Sequence, residues 1–133
     1  MALHDFTTGQ FSIPEDGQKK VFRLKNNIDF SQPWHNVLAT DVVKVLAIPA
    51  NVSVKNLFVR VNTVEGATAT AVVNDYSTNP AYISSVNINS LGTTEDALTK
   101  GRIYTAPHTL HFVPANNLAN ANVDFIAFCE DLN

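Results

Sequence analysis

The chain has 133 residues, of which 45% are hydrophobic and 16% are charged, and its formal net charge is −3 at neutral pH. This length predicts one domain with one hydrophobic core, and the low share of charged residues predicts a surface rich in Asn, Thr and Ser. The 9 basic residues form no dense cluster, which argues against nucleic-acid binding. The single cysteine excludes an intrachain disulfide and indicates folding in a reducing compartment.

The beginning of the chain lacks the basic segment and the apolar stretch of a secretory signal. No apolar run approaches the roughly 20 residues that a membrane span requires. We therefore expect synthesis in the cytoplasm and no membrane partner.

Residues 1–17 show neither helical nor strand periodicity over a useful length. Three separated apolar residues, Phe6, Phe11 and Ile13, interrupt a run of Thr, Gly, Pro and acidic residues. Apolar anchors on an irregular segment indicate that it lies along a surface, either of its own domain or of a neighbour. We predict an N-terminal arm over residues 1–17 and a single β-sandwich domain over residues 18–133.

Three segments carry the strongest strand signals. Residues 41–48 are rich in β-branched side chains and end at Pro49, which predicts a buried strand. Residues 52–63 alternate between apolar and polar positions, which predicts a half-buried antiparallel strand. Residues 122–130 are apolar along one face as far as Cys129 and partly apolar on the other, which predicts a strand held within a sheet.

Turn residues divide the rest of the chain. The Asn-Asn pair at 26–27 predicts a turn, and the Glu-Gly pair at 65–66 predicts a hairpin that joins residues 52–63 to residues 67–73. Residues 91–101 form the only helix-like stretch, long enough for one or two turns. Further short strands are expected at residues 19–24, 28–30, 82–88, 102–106 and 109–113.

About eight short strands with almost no helix predict an all-β protein, either a sandwich or a barrel. Of these two, we predict the sandwich. The expected fold is a jelly-roll-like antiparallel β-sandwich with an extended N-terminal arm.

The sequence contains no recognisable motif for catalysis or for metal or cofactor binding. His108 and His111 are three residues apart, and on an extended chain their side chains point to opposite faces and chelate poorly. Cys129 lies in an apolar strand pattern, where a free cysteine packs as a small hydrophobic residue. Ser84 and Ser85 lack the G-x-S-x-G turn, and no glycine-rich phosphate loop is present. We predict a protein that is not an enzyme and binds no metal or cofactor.

Trp34, Tyr76 and Tyr82 are the aromatic residues that lie in or beside predicted loops. Such residues either form a sugar-binding face or cap the ends of a small sandwich. The first arrangement predicts a glycan-binding surface, and the second predicts packing alone.

Two stretches resemble small virion structural proteins of tailed bacteriophages, in particular capsid decoration (cement) proteins. The first is Asp-Val-Val-Lys-Val-Leu-Ala-Ile-Pro-Ala-Asn at residues 41–51, which continues through residues 59–61 and 64–68. The second is Gly-Arg-Ile-Tyr at residues 101–104, which continues to Val-Asp-Phe-Ile-Ala at residues 123–127. Together these stretches cover much of the C-terminal two-thirds of the chain.

The resemblance implies a jelly-roll-like subunit, often a trimer, that sits on the outside of a phage head and bridges neighbouring major capsid proteins. It places the protein on the capsid exterior of the virion, and an arm over residues 1–17 would help such a bridge reach across a joint. The alternative is a receptor- or glycan-binding β-sandwich module of a phage tail fibre or tailspike, motivated by Trp34, Tyr76 and Tyr82.

Overall fold

The structure, a computed structural model, describes residues 2–15, 18–75, 81–95 and 102–132. The side chains of residues 13–15 and 18–20 are not part of this description. No helix formed by the described residues is long and apolar enough to span a membrane. The only helical elements among them are two 3-10 turns, at Thr7–Gly9 and Pro33–His35.

Eleven strands lie within the described part of the chain. They are β1 (Leu3–Asp5), β2 (Phe11–Glu15), β3 (Gln18–Asp29), β4 (Val42–Ile48), β5 (Val52–Thr63), β6 (Thr70–Asn74), β7 (Ile83–Asn87), β8 (Gly92–Glu95), β9 (Arg102–Tyr104), β10 (His108–Pro114) and β11 (Asn122–Asp131). The predicted strands near residues 82–88, 102–106 and 109–113 are therefore present as β7, β9 and β10.

The strands form two sheets that pack face to face as a sandwich. The first sheet has the order β1-β4-β10-β6-β7, and the second has the order β2-β3-β11-β5-β8. β9 also pairs with β5, at residues 52–54. The pairing of β1 with β4 is parallel, and the other described strand pairs are antiparallel. This arrangement confirms the predicted all-β, jelly-roll-like sandwich.

Alternation along the strands places the core between the two sheets. Leu57, Val59 and Val61 of β5 are buried on the inner face of the second sheet, as the sequence pattern predicted. Across the interface, the ring of Phe112 in the first sheet packs edge-on against the ring of Phe125 in the second, with centroids 5.2 Å apart. The strands predicted at the positions of β4, β5 and β11 are confirmed.

The N-terminal segment contributes to both sheets. It pairs with β4 through β1, makes the 3-10 turn at Thr7–Gly9, and then pairs with β3 through β2. Past the end of β1, side-chain amides bind the backbone groups at this edge of β4. The Asn26 amide donates to the Val45 carbonyl at 2.8 Å, while Gln10 donates to the Ala47 carbonyl at 2.9 Å and accepts from the Ala47 N–H at 2.6 Å. Residues 2–15 therefore lie along their own domain, as two strands rather than as irregular chain.

The predicted turn at residues 26–27 is wrong, because both residues lie inside β3. Asn26 is buried, and its amide also donates to the Phe6 carbonyl at 2.9 Å. Asn27 donates to the Asp124 carboxylate at 2.7 Å. These tertiary partners satisfy the polar groups that would otherwise favour a turn.

The predicted hairpin of β5 and β6 is also wrong, because β5 belongs to the second sheet and β6 to the first. Residues 64–69 cross from one sheet to the other. The buried carboxylate of Glu65 holds this crossing by accepting hydrogen bonds from the backbone N–H groups of residues 119–121.

The helix predicted within residues 91–101 is wrong where the structure describes this stretch. Residues 92–95 form β8 by pairing with β5, and residues 96–101 lie outside the described residues.

Candidate docking surface

The apolar anchors predicted for the N-terminal arm have different surroundings. Phe6 packs against the core, and its ring centroid lies 4.7 Å from that of His35. Phe11, in β2, is 50% exposed. Ile13 lies in the same strand, and its side chain is outside the described part of the structure. Phe6 thus stabilises its own domain, whereas Phe11 faces solvent.

The structure does not bring Trp34 and Tyr82 onto one face. Trp34 is 71% exposed and lies beside β1 and β3, where its ring centroid is 5.9 Å from that of His35. Tyr82 is buried, and its hydroxyl lies 2.7 Å from the hydroxyl of Tyr104. Tyr82 precedes β7, which β4, β10 and β6 separate from β1 in the first sheet. Tyr76 lies outside the described residues.

The outward side of the second sheet carries apolar side chains in neighbouring strands. The register places Lys25 of β3 opposite Ile126 of β11, and Ile126 opposite Phe58 of β5. Phe128 lies two residues beyond Ile126 on the same face, and its ring packs edge-on against that of Phe58, with centroids 5.4 Å apart. Phe11 of β2 lies opposite Lys25 at the edge of the sheet. We call Phe58, Ile126 and Phe128 the outer apolar cluster.

Two guanidinium groups border the outer apolar cluster. Arg23 lies opposite Phe128, and Arg60 lies two residues from Phe58 on β5. Between them is an open depression of about 210 Å³. Its lining consists of Arg23, Phe58, Arg60, Thr93, Ile126 and Phe128. This lining is apolar at its centre and cationic at its sides, and the carboxylate of Glu95 lies next to it, because Glu95 is opposite Phe58 in the pairing of β5 with β8.

Asp124 neutralises part of this positive charge. Arg60 donates to one oxygen of the Asp124 carboxylate from Nη2 at 2.6 Å and from Nε at 3.2 Å. Burial by itself would raise the pKa of Asp124, but hydrogen bonds from Asn27, Asn62 and Arg60 outweigh burial and hold the pKa below its usual value. Asp124 is therefore a fixed anion that positions the Arg60 guanidinium beside the depression.

A second polar network lies where β9 meets the end of β6. The buried carboxylate of Asp75 accepts from Arg102 Nη1 at 3.0 Å and from the Tyr104 hydroxyl at 2.8 Å. The Arg102 guanidinium stacks over the ring of Tyr82, 4.4 Å from the centroid, and His108 stacks on Tyr104. Burial, followed by the contact with Tyr82, raises the pKa of Tyr104. These groups bind one another and join the two sheets.

The remaining titratable candidates occupy structural positions. The His108 ring nitrogen Nε2 is hydrogen bonded to the backbone carbonyl of Asp75, and His111 Nε2 lies 2.8 Å from the hydroxyl of Thr109. Cys129 is buried in β11, and burial raises the pKa of its thiol to about 12. Within the described ranges, no three His, Cys, Asp or Glu side chains form a group that could hold a metal ion.

The sequence patterns singled out Trp34, Tyr76 and Tyr82 in or beside predicted loops and did not single out the outer apolar cluster. The sequence signal for the cluster is the apolar character of outward-facing positions in two strands. Phe58 occupies such a position in β5, and Ile126 and Phe128 occupy two of them in β11. Alternation assigns each of them to the outer face of its own strand. Only the pairing of β5 with β11 shows that the three side chains are neighbours.

No protein-family model matches the sequence. No curated protein matches it either. Solved structures do match over nearly the whole fold. A chain in the capsid of Ralstonia phage GP4 is 14% identical, with a TM-score of 0.71, and the match covers 98% of this chain and 98% of that chain.

Two further phage capsids contain a similar chain. One is the acid-stable capsid of Helicobacter pylori bacteriophage KHP30, with 14% identity, a TM-score of 0.62, and coverage of 93% of this chain and 94% of that chain. The other is the capsid asymmetric unit of cyanophage Pam1, with 16% identity, a TM-score of 0.67, and coverage of 91% and 92%. At these identities the matches establish a common fold, so this chain shares its sandwich with chains from three phage capsids.

Proposed function

We propose that the protein is a structural component of a phage head, and specifically a decoration (cement) protein that binds the outside of the shell and bridges neighbouring major capsid proteins. The observation that carries this proposal is the match to a chain of the GP4 capsid, which covers 98% of both chains. Coverage in both directions means that the capsid chain is itself about this size. A subunit of one small sandwich has the dimensions of an accessory component.

The charge of the chain supports a place on the exterior. The interior of a filled head holds DNA, whose phosphates attract dense clusters of Lys and Arg. This chain carries a net charge of −3 and no such cluster. Binding to the outer surface of the shell avoids the repulsion that the interior would impose.

The proposed mode of action is bridging through several weak contacts. The sandwich is held by a continuous core, so it can transmit load between the subunits that it joins. A trimer would present each contact three times, and linked contacts bind far more tightly than one alone. Phe11, the exposed anchor of the N-terminal segment, would add to the contact with the major capsid protein.

The test uses heads of the phage that carries this gene, produced with the gene inactivated. Purified protein is added, and the particles are imaged by electron cryomicroscopy. We expect added density at fixed positions on the outer surface and a higher temperature of head disruption. The mass of the free protein in solution reports whether it is a trimer.

The Phe11→Ser variant tests the contribution of the N-terminal segment in the same experiment. Leu132→Ser removes an exposed apolar side chain from the other end of the chain and is the matched control. Density inside the head or on the tail, or no binding of the wild-type protein, would contradict the proposed function.

A second candidate function, binding of a glycan or receptor as a tail-fibre or tailspike module, rests on Trp34. Its exposed ring borders a depression of about 320 Å³ that Asp5 and Asn27 also line. An aromatic ring beside polar side chains is a common arrangement in small-ligand sites. Saturable binding on a glycan array that is lost in Trp34→Ala would support this function, whereas an array without signal would exclude the glycans tested.

A further inference from the structure

We propose that the outer apolar cluster is the surface that binds the capsid partner, and that it receives a partner segment in which an apolar side chain lies next to a carboxylate. This inference rests on the proposed function and deepens it by naming the face and the chemistry of the contact. It is carried by the register of the second sheet, by the shape of the depression and by the charges around it.

The depression accommodates one side chain better than a free small molecule. Its volume of about 210 Å³ is below the roughly 300–1,000 Å³ of typical small-molecule sites. Its centre is formed by Phe58, Ile126 and Phe128, all of which remain partly exposed. An apolar side chain inserted here would cover them, and buried aromatic pockets of this kind contribute much of the binding energy of protein interfaces.

The charges around the cluster select an acidic partner. Arg23 and Arg60 line the depression, and Lys25 lies in the adjoining row, opposite Ile126. Arg60 uses two of its five N–H donors on Asp124, so three remain. None of the ion pairs formed among the described residues involves Lys25. Glu95 lies opposite Phe58 and is hydrogen bonded to Asn56. Lys25 and the remaining donors of Arg60 can therefore bind a further carboxylate that a partner brings to this face, and their charge steers its approach.

The same charges argue against a second copy of the chain as the occupant. In a twofold contact, the same face of each copy meets its counterpart. A contact centred on the cluster would bring Lys25 and Arg60 of both copies into one interface, and like charges in an interface disfavour association. The face is therefore expected to stay open when the protein is free in solution.

The experiment measures binding of purified protein to heads that lack it. Phe128→Ser removes one ring of the cluster, and Lys25→Glu reverses a neighbouring charge. Each is expected to raise the Kd at least about tenfold. Wild-type binding is expected to weaken between low and high NaCl concentration, because a charge contact is screened.

Two controls match these changes on other parts of the surface. Leu38→Ser removes an exposed apolar side chain from the loop before β4, and Lys44→Glu reverses a charge on the first sheet. Both are expected to bind as the wild type does. Thr93→Trp fills the depression from an exposed position on β8 without removing any core side chain, so it tests the site even where Phe128→Ser impairs folding.

The outcomes separate this inference from the proposed function. Wild-type protein that fails to bind heads contradicts the function itself. Wild-type binding that folded Phe128→Ser, Lys25→Glu and Thr93→Trp variants retain in full overturns the inference and leaves the function standing. A change in the mass of these variants in solution would identify a second copy as the occupant and would also overturn the inference.

Discussion

The carboxylate of Glu65 accepts a hydrogen bond from the backbone N–H of Ala121 at 3.1 Å, across 56 positions of sequence. The same carboxylate accepts from the N–H groups of Ala119 and Asn120, each at 3.0 Å. Three backbone donors of a loop thus converge on one buried acid. This contact fixes the crossing between the sheets to the loop that precedes β11.

Replacement of Glu65 by Ala is expected to lower the free energy of unfolding by about 2–4 kcal/mol, because three backbone N–H groups lose a charged acceptor. Glu65→Gln keeps one acceptor oxygen and is expected to cost less. Urea denaturation at pH 7 measures both values. Glu95→Ala, at an exposed position on β8, is the control, and an equal effect of the two alanine variants would contradict the proposed role of Glu65.

Asp41 is expected to make folding sensitive to acid. Hydrogen bonds from the Ala2 and Leu38 N–H groups, together with His4 Nε2 at 2.9 Å, lower the pKa of its carboxyl to about 2. Because the pKa is lower in the folded state than in the unfolded state, the stabilisation is complete above pH 4 and is lost as the pH falls toward 2. It amounts to about 1–2 kcal/mol.

Denaturation curves of the wild type and of Asp41→Asn between pH 2 and 7 test this expectation. The variant should be less stable at pH 7 and should approach the wild type near pH 2. A constant difference across this range would show that Asp41 does not titrate as described.

The two arginines that bind buried carboxylates are expected to differ in their contribution to stability. Arg102 is itself nearly buried, with 10% of its side chain exposed beside Asp75, whereas 47% of the Arg60 side chain is exposed beside Asp124. Removing the partner of a buried charge costs about 3–5 kcal/mol, and water compensates in part where the pair is open. Arg102→Leu should therefore destabilise by about 3–5 kcal/mol and Arg60→Leu by about 1–2 kcal/mol.

Chemical denaturation of the two leucine variants checks this order. The substituted residue is the same in both, so the side-chain volume and the lost charge are matched. A larger loss for Arg60→Leu would show that burial does not determine the cost of removing these partners.

Cys129 is expected to react with thiol reagents only when the chain unfolds. Burial raises its pKa to about 12, and the thiolate is the reactive form. At pH 8 the folded protein should react about a thousandfold more slowly than the urea-unfolded protein. The absorbance change with a chromogenic disulfide reagent gives both rates, and rapid labelling of folded protein would place Cys129 at the surface.

Local patterns in the sequence predicted the all-β class and the strands that became β4, β5 and β11. Apolar alternation and β-branched residues are properties of neighbouring positions, so they are visible before the chain folds. The same reasoning placed Cys129 in the core. The resemblance to virion structural proteins agreed with the sandwich fold that is shared with phage capsid chains.

Only the tertiary structure decided how the strands meet. The Asn26-Asn27 pair is typical of a turn. In the fold, however, the carbonyl of Val45 and the carboxylate of Asp124 accept hydrogen bonds from the two side-chain amides, and both residues stay in β3. The Glu65-Gly66 pair is typical of a hairpin turn. In the fold, the carboxylate of Glu65 binds a distant loop, and the residues after it cross to the other sheet. Phe58 and Phe128 are neighbours because β5 pairs with β11. Contacts between residues far apart in sequence leave no periodic signal along the chain, so the sequence patterns did not reveal this surface.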